Sequence, residues 1–252
     1  MNTAVVAITR HGIVMAGKVV AALPEATLFA PEKFCVEAEA AAPGLYQCYE
    51  GKTAEQIPAL FAAFDAIVAI VSLGAVVRLI APHLGNKEND PAVVVVDEAG
   101  KFAIPILSGH LGGANALAGQ LALALGATPV LTTASDVGKT IPVDILGREL
   151  GWTVEAPKLN ITRVSAAVVN EEPVAFVQEA GSPHWWTRPT PLPPNIHRHT
   201  RLEDVDLARY RAVLWITHRP VDDTLWQTLH ERLVVYRPPL PAGNDATTEA
   251  AA

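Results

Sequence analysis

Apolar runs of strand length alternate with longer helical segments over the first half of the chain. Residues 4–9 (AVVAIT) and 64–72 (FDAIVAIVS) are two such runs, and each precedes a helical segment, residues 13–23 and a segment that opens at Gly74. A continuous apolar strand is typical of a parallel sheet that is covered on both faces. The alternation therefore predicts an α/β fold with a mostly parallel sheet and flanking helices.

Residues 92–107 carry a hairpin signal within this pattern. Two apolar runs, AVVVV and FAIPIL, lie on either side of a turn-forming segment around residues 98–100 (EAG). Apolar runs joined by a short turn with glycine predict two antiparallel strands. A helix is predicted over residues 112–125 with Gly126 as its C-cap, followed by a strand over residues 128–134.

The second half of the chain predicts a smaller α/β domain. It contains the apolar strands VAFVQ, AVLWITH and LVVYRP, and predicted helices over residues 142–150 and 160–170. The proline-rich stretch SPHWWTRPTPLPPNIHRHT between them predicts irregular chain. We therefore predict a first domain over residues 1–134, a second over residues 135–237, and a disordered tail over residues 238–252.

Composition and charge limit the class of function. Half of the residues are hydrophobic and the formal net charge is -7. A broad electrostatic surface for nucleic acid is therefore excluded, whereas a local basic patch for a carboxylate-rich small molecule is not. The longest apolar stretch, residues 66–77, is too short to span a bilayer, and the first residues do not read as a signal peptide. These features predict a cytoplasmic protein that does not bind membranes.

No metal or redox centre is predicted from the sequence. Cys35 and Cys48 match no zinc or CxxC spacing, so we expect two unpaired, buried thiols. The proline-rich stretch carries His and Trp residues that could suggest a metal site or an aromatic cage, but irregular chain is a poor frame for either. These residues are His184, Trp185, Trp186, His197 and His199.

Four polar turns follow predicted strands, and the geometry of parallel sheets suggests that they lie at the same edge of the sheet. They lie at residues 9–12, 72–74, 108–115 and 132–136. Open parallel sheets bind ligands at the carboxyl ends of their strands. We therefore expect several of these turns to share one edge of the first sheet.

The third of these turns, SGHLGGANALA from Ser108, is the strongest candidate for chemistry. Glycines before a helix allow a ligand to approach backbone N–H groups at the positive end of the helix dipole, which predicts an anion site. His110 is either a general acid or base or a residue that shapes its own loop. Nothing nearby activates Ser108 as a nucleophile, so a binding or N-capping role is preferred. Asn115 lies in the first helical turn, where its amide reaches ligand or loop.

Other candidates have two interpretations each. Asp136, which follows Thr132 and Thr133, is a second acid or base or a turn aspartate. Arg78 lies amid apolar residues and either reaches an anion or extends to solvent. Lys87 either pairs with a substrate carboxylate or is a solvated loop charge.

The segment from residue 76 to residue 136 resembles the CbiG family of cobalamin biosynthesis, the cobalt-precorrin-5A hydrolases. The resemblance continues through VDILGRELGWTVE and NITRVSAAVVNEEPVAFVQE and covers roughly residues 1–220. The matching features are Gly74 with VRLIAP, Lys87 with DPAV at 90–93, DEAG at 97–100, LSGH at 107–110, GGAN at 112–115 and TTASD at 132–136.

The resemblance implies hydrolysis of a δ-lactone on a ring-contracted cobalt corrinoid, with loss of acetaldehyde. The implied ligand is this corrinoid, with no cofactor and no metal site in the protein, because cobalt arrives with the substrate. Residue roles follow from chemistry rather than from the resemblance. We assign catalysis to His110 and Asp136, and oxyanion or acetate binding to the N–H groups of residues 112–114. The substrate-binding residues expected are Ser108, Gly109, Gly112, Gly113, Asn115, Arg78, Lys87, Thr132 and Thr133.

Family members often continue into a C-terminal domain of the CobE type, whereas this sequence ends in a Pro- and Ala-rich segment. The expectation is that a separate CobE-type polypeptide supplies that part or that the chain works without it. The alternative function is therefore a non-catalytic corrinoid-binding or scaffold protein of the same pathway.

Overall fold

The computed structural model describes residues 1–86 and 89–240, in two compact units that divide after Thr133. Each unit is built around its own mostly parallel sheet, of seven strands in the first and five in the second. The predicted α/β class, with a larger sheet followed by a smaller one, is confirmed. Residues 241–252, most of the predicted tail, lie outside the described residues.

The first unit alternates strands and helices as predicted. Its strands are β1 (Thr3–Ala7), β2 (Ala26–Pro31), β3 (Tyr46–Tyr49), β4 (Ala66–Ile70), β5 (Ala92–Val96), β6 (Phe102–Leu107) and β7 (Thr128–Pro129). Its helices are α1 (Arg10–Ala22), α2 (Cys35–Ala41), α3 (Thr53–Ala63), α4 (Leu73–Ile80) and α5 (Ala114–Leu125). All residues of β1, β4 and β5 are buried, as expected for strands covered on both faces.

Strand direction in the first sheet changes after β5. The order is β3-β2-β1-β4-β5-β6-β7, and the first five strands run parallel. The predicted hairpin is confirmed, because β6 pairs antiparallel with β5, and β7 then runs parallel with β6. The sheet therefore has a carboxyl edge, where β1, β4 and β5 end, and an amino edge, where those strands begin and where β6 and β7 end.

This reversal corrects the expected convergence of the four polar turns. Thr9 and Ser72 follow β1 and β4 and lie at the carboxyl edge. Ser108 and Thr132 follow β6 and β7, which run the other way, and so lie at the amino edge. The turns thus form two pairs at opposite edges of the sheet.

Two apolar layers cover the first sheet. On one face, Ile13 and Val19 of α1 and Leu121 of α5 pack with Val5 and Val94 of the strands. The opposite face carries a second cluster, in which α3 and α4 contribute Ile57, Leu60, Val76 and Ile80. Burial of these side chains, at about 25 cal/mol per Å² of apolar surface, is the main force that holds the helices to the sheet.

The second unit contains β8 (Thr153–Glu155), β9 (Val174–Gln178), β10 (Ile196–His199), β11 (Ala212–Ile216) and β12 (Leu233–Arg237). Its helices are α6 (Ala134–Val137), α7 (Lys158–Val169) and α8 (Asp223–Thr228). The strand order is β10-β9-β11-β12-β8, with β8 antiparallel and the others parallel. The three apolar strands predicted from the sequence are confirmed as β9, β11 and β12.

Several predicted boundaries are wrong for local reasons. Helix α1 begins at Arg10 rather than at residue 13, because Thr9 caps it by accepting a hydrogen bond from Gly12 N at 3.0 Å. The strand expected over residues 128–134 is only two residues long. The helix expected over residues 142–150 is absent: that segment is turns with a single 3₁₀ turn at Arg148–Leu150, because glycines with positive φ precede and follow the turn.

The cysteines also differ from the prediction. Cys35 and Cys48 form a disulfide, with their Cα atoms 5.9 Å apart, and both residues are half-buried rather than buried. Cys35 opens α2 and Cys48 lies on the next strand, β3, so the fold brings together two residues whose spacing matches no motif. Among the described residues, no helix has both the length and the apolar character needed to cross a membrane.

Candidate functional site

The glycine-rich loop, residues 108–113, joins β6 to α5 at the amino edge of the first sheet. Ser108 has a φ of 53°, a left-handed conformation that is uncommon for a residue with a side chain. Its hydroxyl donates to Asp90 O at 2.8 Å, and its carbonyl accepts from Ala114 N at 3.2 Å. Ser108 therefore links the end of β6 to the chain that enters β5, and its hydroxyl proton is committed to that link.

Two positions of the loop require glycine, for different reasons: Gly112 has no room for a side chain, and Gly113 has a left-handed backbone. A Cβ at Gly112 would lie 2.4 Å from Ser108 Cβ and 2.9 Å from Ser108 O. Gly113 is the N-cap of α5 with a φ of 86°. The glycines thus make the loop fold tightly upon Ser108.

The backbone N–H groups of the loop are largely used by the loop itself. Gly113 N donates to His110 O at 3.1 Å and Asn115 N donates to Gly109 O at 3.0 Å, in addition to the bond from Ala114 N to Ser108 O. The prediction that the N–H groups of Gly113 and Ala114 hold an oxyanion is therefore wrong for these two groups. The N-capping role considered for Ser108 is also wrong, because Gly113 occupies that position without a side-chain cap.

His110 lies at the centre of this loop and is half-buried. Its carbonyl closes the turn to Gly113, so the backbone position of His110 is determined by the same bonds that shape the loop. The residue is partly exposed at the amino edge of the sheet, and its role as a general base stays a prediction.

Asn115 and Thr133, both predicted to contact substrate, lie next to each other. Asn115 Nδ2 donates to Thr133 Oγ1 at 2.8 Å, so the first turn of α5 is joined to the chain that follows β7. Thr133 is half-buried and its neighbour Thr132 is exposed. Ser108, Gly109, His110, Asn115 and Thr133 thus share one surface of the first unit.

The remaining predicted site residues are placed differently. Asp136 belongs to the second unit, where its carboxylate pairs with Arg188 at 2.9 Å. Arg78 is exposed in the last turn of α4. Later in the chain, the carbonyl of Asp90 accepts the hydrogen bond from Ser108 of the glycine-rich loop. Lys87 lies outside the described residues.

A cleft that the sequence did not reveal lies at the opposite, carboxyl edge of the first sheet. It has a volume of about 540 Å³ and lies where β1 and β4 end. The chain passes from β1 outward to β2 and later returns to β4 on the other side, the arrangement at which open α/β sheets bind ligands. The lining is mostly apolar: Ile8, Thr9, Ile70, Val71, Ser72, Leu73, Ala75, Val95, Asp97, Glu98, Phe102 and Ile104.

The charged groups of this cleft are two carboxylates, Asp97 and Glu98, and both already accept hydrogen bonds. Thr9 Oγ1 donates to Glu98, and Asp97 accepts from the N–H groups of Lys101 and Phe102 at 2.8 and 2.7 Å. Two carboxylates at its rim disfavour an anionic ligand. The sequence did contain one signal that the polar turns would separate, the hairpin turn at residues 98–100. Because the chain reverses there, the glycine-rich loop that follows β6 lies at the amino edge and not beside this cleft.

The aromatic residues of the proline-rich stretch belong largely to the core of the second unit. Trp185 is buried and stacks on Phe176 with ring centroids 4.2 Å apart, so it is not part of an open aromatic cage. Within residues 1–86 and 89–240, no group of three His, Cys, Asp or Glu side chains could hold a metal ion.

Two open α/β sheets in series, each mostly parallel, define the chain as a tandem α/β protein. Comparison with known families gives two matches in sequence order: "Cobalamin synthesis G N-terminal" over residues 55–136 and "Cobalamin biosynthesis central region" over residues 141–238. The chain belongs to the CbiG family of cobalamin biosynthesis proteins and contains its N-terminal and central regions.

Curated relatives agree with this membership. The chain is 43% identical over 93% of its length to the cobalt-precorrin-5A hydrolase of Priestia megaterium, of which it covers 62%. It is 35% identical over 73% of its length to the enzyme of that name from Salmonella typhimurium, of which it covers 48%. The chain therefore spans less than two thirds of the length of these relatives.

The chain is also similar to a solved structure of a cobalamin biosynthesis protein G homologue from Sulfolobus solfataricus. The alignment covers 94% of this chain and 60% of that homologue's chain. The TM-score is 0.49 and the sequence identity is 19%.

Proposed function

We propose that this chain carries the cobalt-precorrin-5A hydrolase reaction, in which a corrinoid δ-lactone is opened and acetaldehyde is released. The observation that carries the proposal is the 43% identity to a cobalt-precorrin-5A hydrolase, which extends over 93% of the chain and so includes both units. The glycine-rich loop with His110 supplies a group suited to the first step.

The reaction consumes one water and needs no oxidant or reductant. Water adds to the lactone carbonyl, and the ring C–O bond breaks to leave a carboxylate and an alcohol. The alcohol then loses its proton and forms a C=O bond as the adjacent C–C bond breaks. The electron pair of that bond passes to the macrocycle, and the two-carbon fragment leaves as acetaldehyde.

We place the first step at the amino edge of the first sheet. His110 is the proposed base that takes a proton from the attacking water. A substrate with many carboxylates is better received there than in the carboxyl-edge cleft, whose rim carries Asp97 and Glu98. Arg78 and Lys87 are the proposed partners of substrate carboxylates.

Other assignments are proposals of the same kind. Ser108, Gly109, Gly112 and Gly113 shape the surface on which the substrate lies, and Asn115, Thr132 and Thr133 contact it. Asp136, oriented by its ion pair with Arg188, is the proposed second acid–base group. The chain itself needs no cofactor, since cobalt enters with the substrate, and we expect it to work in the cytoplasm.

Acetaldehyde formation tests the proposal directly. Purified chain and cobalt-precorrin-5A are incubated anaerobically, and acetaldehyde is measured by NADH consumption with alcohol dehydrogenase. Stoichiometric acetaldehyde that depends on the native chain is expected. Absence of acetaldehyde with a folded chain and intact substrate would contradict catalysis by this chain without a further component.

One observation favours a second function. The chain covers only 62% of its relative from Priestia megaterium. If the part of that relative which this chain does not match is needed for turnover, the chain by itself binds the corrinoid without converting it, and turnover depends on a CobE-type protein. Acetaldehyde that forms only when such a protein is added identifies this case.

A further inference from the structure

A pocket of about 490 Å³ lies at the carboxyl edge of the second sheet, where β9 and β10 end side by side. The strand order places β9 between β10 and β11, so the chain leaves β9 for one neighbour and later returns to its other side. This is the position at which open α/β sheets bind ligands. The pocket is lined by Gln178, Glu179, Ala180, Gly181, Pro183, Arg198, His199 and Thr200.

One wall of the pocket is the loop that follows β9, and Gln178 holds its shape. Gln178 Nε2 donates to Ser182 O at 2.8 Å and to Ala180 O at 3.3 Å, so the loop folds around this amide. Gln178 Oε1 accepts from Trp185 Nε1 at 3.0 Å. Gly181 has a φ of 76°, and a Cβ there would lie 2.8 Å from Trp152 Cζ2. The loop is therefore a formed wall that lies directly on buried aromatic residues.

The acidic residue of the pocket is fully engaged. The Glu179 side chain is only 12% exposed, and its carboxylate accepts from Thr217 Oγ1 at 2.8 Å and from Leu202 N at 3.1 Å. Arg219 pairs with the same carboxylate at 3.1 Å and also with Glu203, which Arg201 contacts in turn. The negative charge of Glu179 is thus balanced from outside the open part of the pocket.

The basic residue of the pocket is not balanced. Arg198 is exposed, and within the part of the chain that the structure describes its guanidinium forms no hydrogen bond or ion pair. The open part of the pocket therefore has a net positive charge. A guanidinium presents a planar set of donors that matches a carboxylate in two parallel hydrogen bonds.

We propose that this pocket is a carboxylate-binding site, in which Arg198 receives an acetate or propionate side chain at the periphery of the corrinoid. Identification of the corrinoid as the source of the carboxylate rests on the proposed function, whereas the anion site itself rests on the pocket. The site is a positioning site, distant in sequence from the glycine-rich loop. It lies within the second unit and takes one peripheral carboxylate, away from the bonds that break.

The anion site is tested first, without a corrinoid. Succinate is titrated into the full chain, and backbone amides of residues 180–182 and the Arg198 Nε–H signal are followed by NMR. Saturable shifts in the native chain that are lost in Arg198→Gln are expected. Absence of shifts at these positions would overturn the anion site. The control is Arg209→Gln, which removes an exposed arginine of the same unit that does not line the pocket.

Corrinoid binding then identifies the source of the carboxylate. Cobyrinic acid, which carries peripheral carboxylates, is compared with cobinamide, which carries amides in their place. For cobyrinic acid, Arg198→Gln should raise Kd about tenfold, Arg198→Lys should raise it by a smaller factor because the charge is kept but the paired hydrogen bonds are lost, and Arg209→Gln should change it less than about threefold. For cobinamide, Arg198→Gln should have no effect.

The outcomes separate the two proposals. Equal cobyrinic acid affinity in the native chain and in Arg198→Gln would overturn the placement of a substrate carboxylate in this pocket. Succinate shifts without any corrinoid binding would leave the anion site in place and contradict the corrinoid as its ligand, whereas acetaldehyde release decides the proposed function separately.

Discussion

Asn115 and Thr133 are joined by a hydrogen bond of 2.8 Å from the side-chain amide of the first to the hydroxyl of the second. The bond connects the start of α5 to the chain that leaves β7, the strand that follows this helix. Its energy should be measurable, because both residues are only half-buried and each can be truncated separately.

A double-mutant cycle with Asn115→Ala and Thr133→Val should show coupling. We expect a coupling energy of about 0.5–1.5 kcal/mol, the usual range for one such bond. Urea unfolding followed by circular dichroism is the measurement. Thr132→Val, at the exposed neighbouring position, is the control and should show no coupling with Asn115→Ala. Additive effects of the two main changes would mean that the bond contributes nothing.

Two glycine substitutions should have opposite signs. Gly112→Ala places a Cβ 2.9 Å from the carbonyl oxygen of Ser108, a backbone atom that cannot move freely, and should destabilise the chain by about 1–3 kcal/mol. Gly119→Ala, within α5, meets nothing within 4 Å and should stabilise it by about 0.5–1 kcal/mol. Thermal unfolding of both variants gives the comparison. A stable Gly112→Ala would show that the loop can open away from Ser108.

His110→Asn should affect turnover far more than stability. If His110 activates water, acetaldehyde release should fall about 10²-fold, while Tm stays nearly unchanged because the residue lies in a polar, half-buried loop. His184→Asn, an exposed histidine of the second unit, is the matched control and should be normal. A folded His110→Asn variant with near-normal acetaldehyde release would remove His110 from the mechanism.

Cys35→Ser should make stability independent of reductant. The disulfide closes a short loop, with a sequence separation of 13 residues, and such closures stabilise by about 2–3 kcal/mol. The urea midpoint of the native chain should fall when dithiothreitol is added, to the value of the variant. A native chain that does not respond to reductant would contradict the disulfide.

Tyr236→Phe should change the response to alkaline pH. Tyr236 is fully buried and its hydroxyl donates to Val143 O at 2.7 Å. Burial, aided by the nearby Asp144 carboxylate, raises the pKa of Tyr236 well above its ordinary value of 10.0. The unfolded phenol ionises near pH 10 and the folded one does not, so the stability it contributes is present below pH 10 and is lost as pH rises further.

The variant should therefore be less stable than the native chain at neutral pH, by about 0.5–1.5 kcal/mol for the lost bond. Above pH 10 its stability should fall less steeply. All five tryptophans, at positions 152, 185, 186, 215 and 226, lie in the second unit, so their fluorescence in urea reports on this unit. Equal slopes above pH 10 would contradict the shift.

Most of the sheet was predictable because strand signals are local. The apolar runs that became β1, β4, β9 and β11 are continuous and bounded by polar turns, so each run alone indicates a buried strand. The hairpin of β5 and β6 was predictable for the same reason. The helix predicted over residues 142–150 is absent because of glycine. Gly147 has a left-handed backbone, which interrupts a segment whose apolar spacing resembles that of a helix.

The site was less predictable because its contacts depend on strand direction. The loop at Ser108 and the turn at Thr9 both follow strands, yet the antiparallel β6 places them at opposite edges. Pairings between distant positions, such as Asn115 with Thr133 or Cys35 with Cys48, have no signature in spacing. That Arg198 has no partner within residues 1–86 and 89–240 follows only from the contacts of the folded chain, since an arginine in a sequence shows nothing about its partner.

The reversal at the β5–β6 hairpin also bears on how such a chain can diverge. Loops that follow β1 and β4 open on one side of the sheet, and those that follow β6 and β7 open on the other. Because the two groups of loops lie at opposite edges of the sheet, we expect an insertion in one group to leave the backbone of the other unchanged. The loops at the carboxyl edge can therefore change under selection for a new partner or regulator while the glycine-rich loop at the amino edge keeps its geometry.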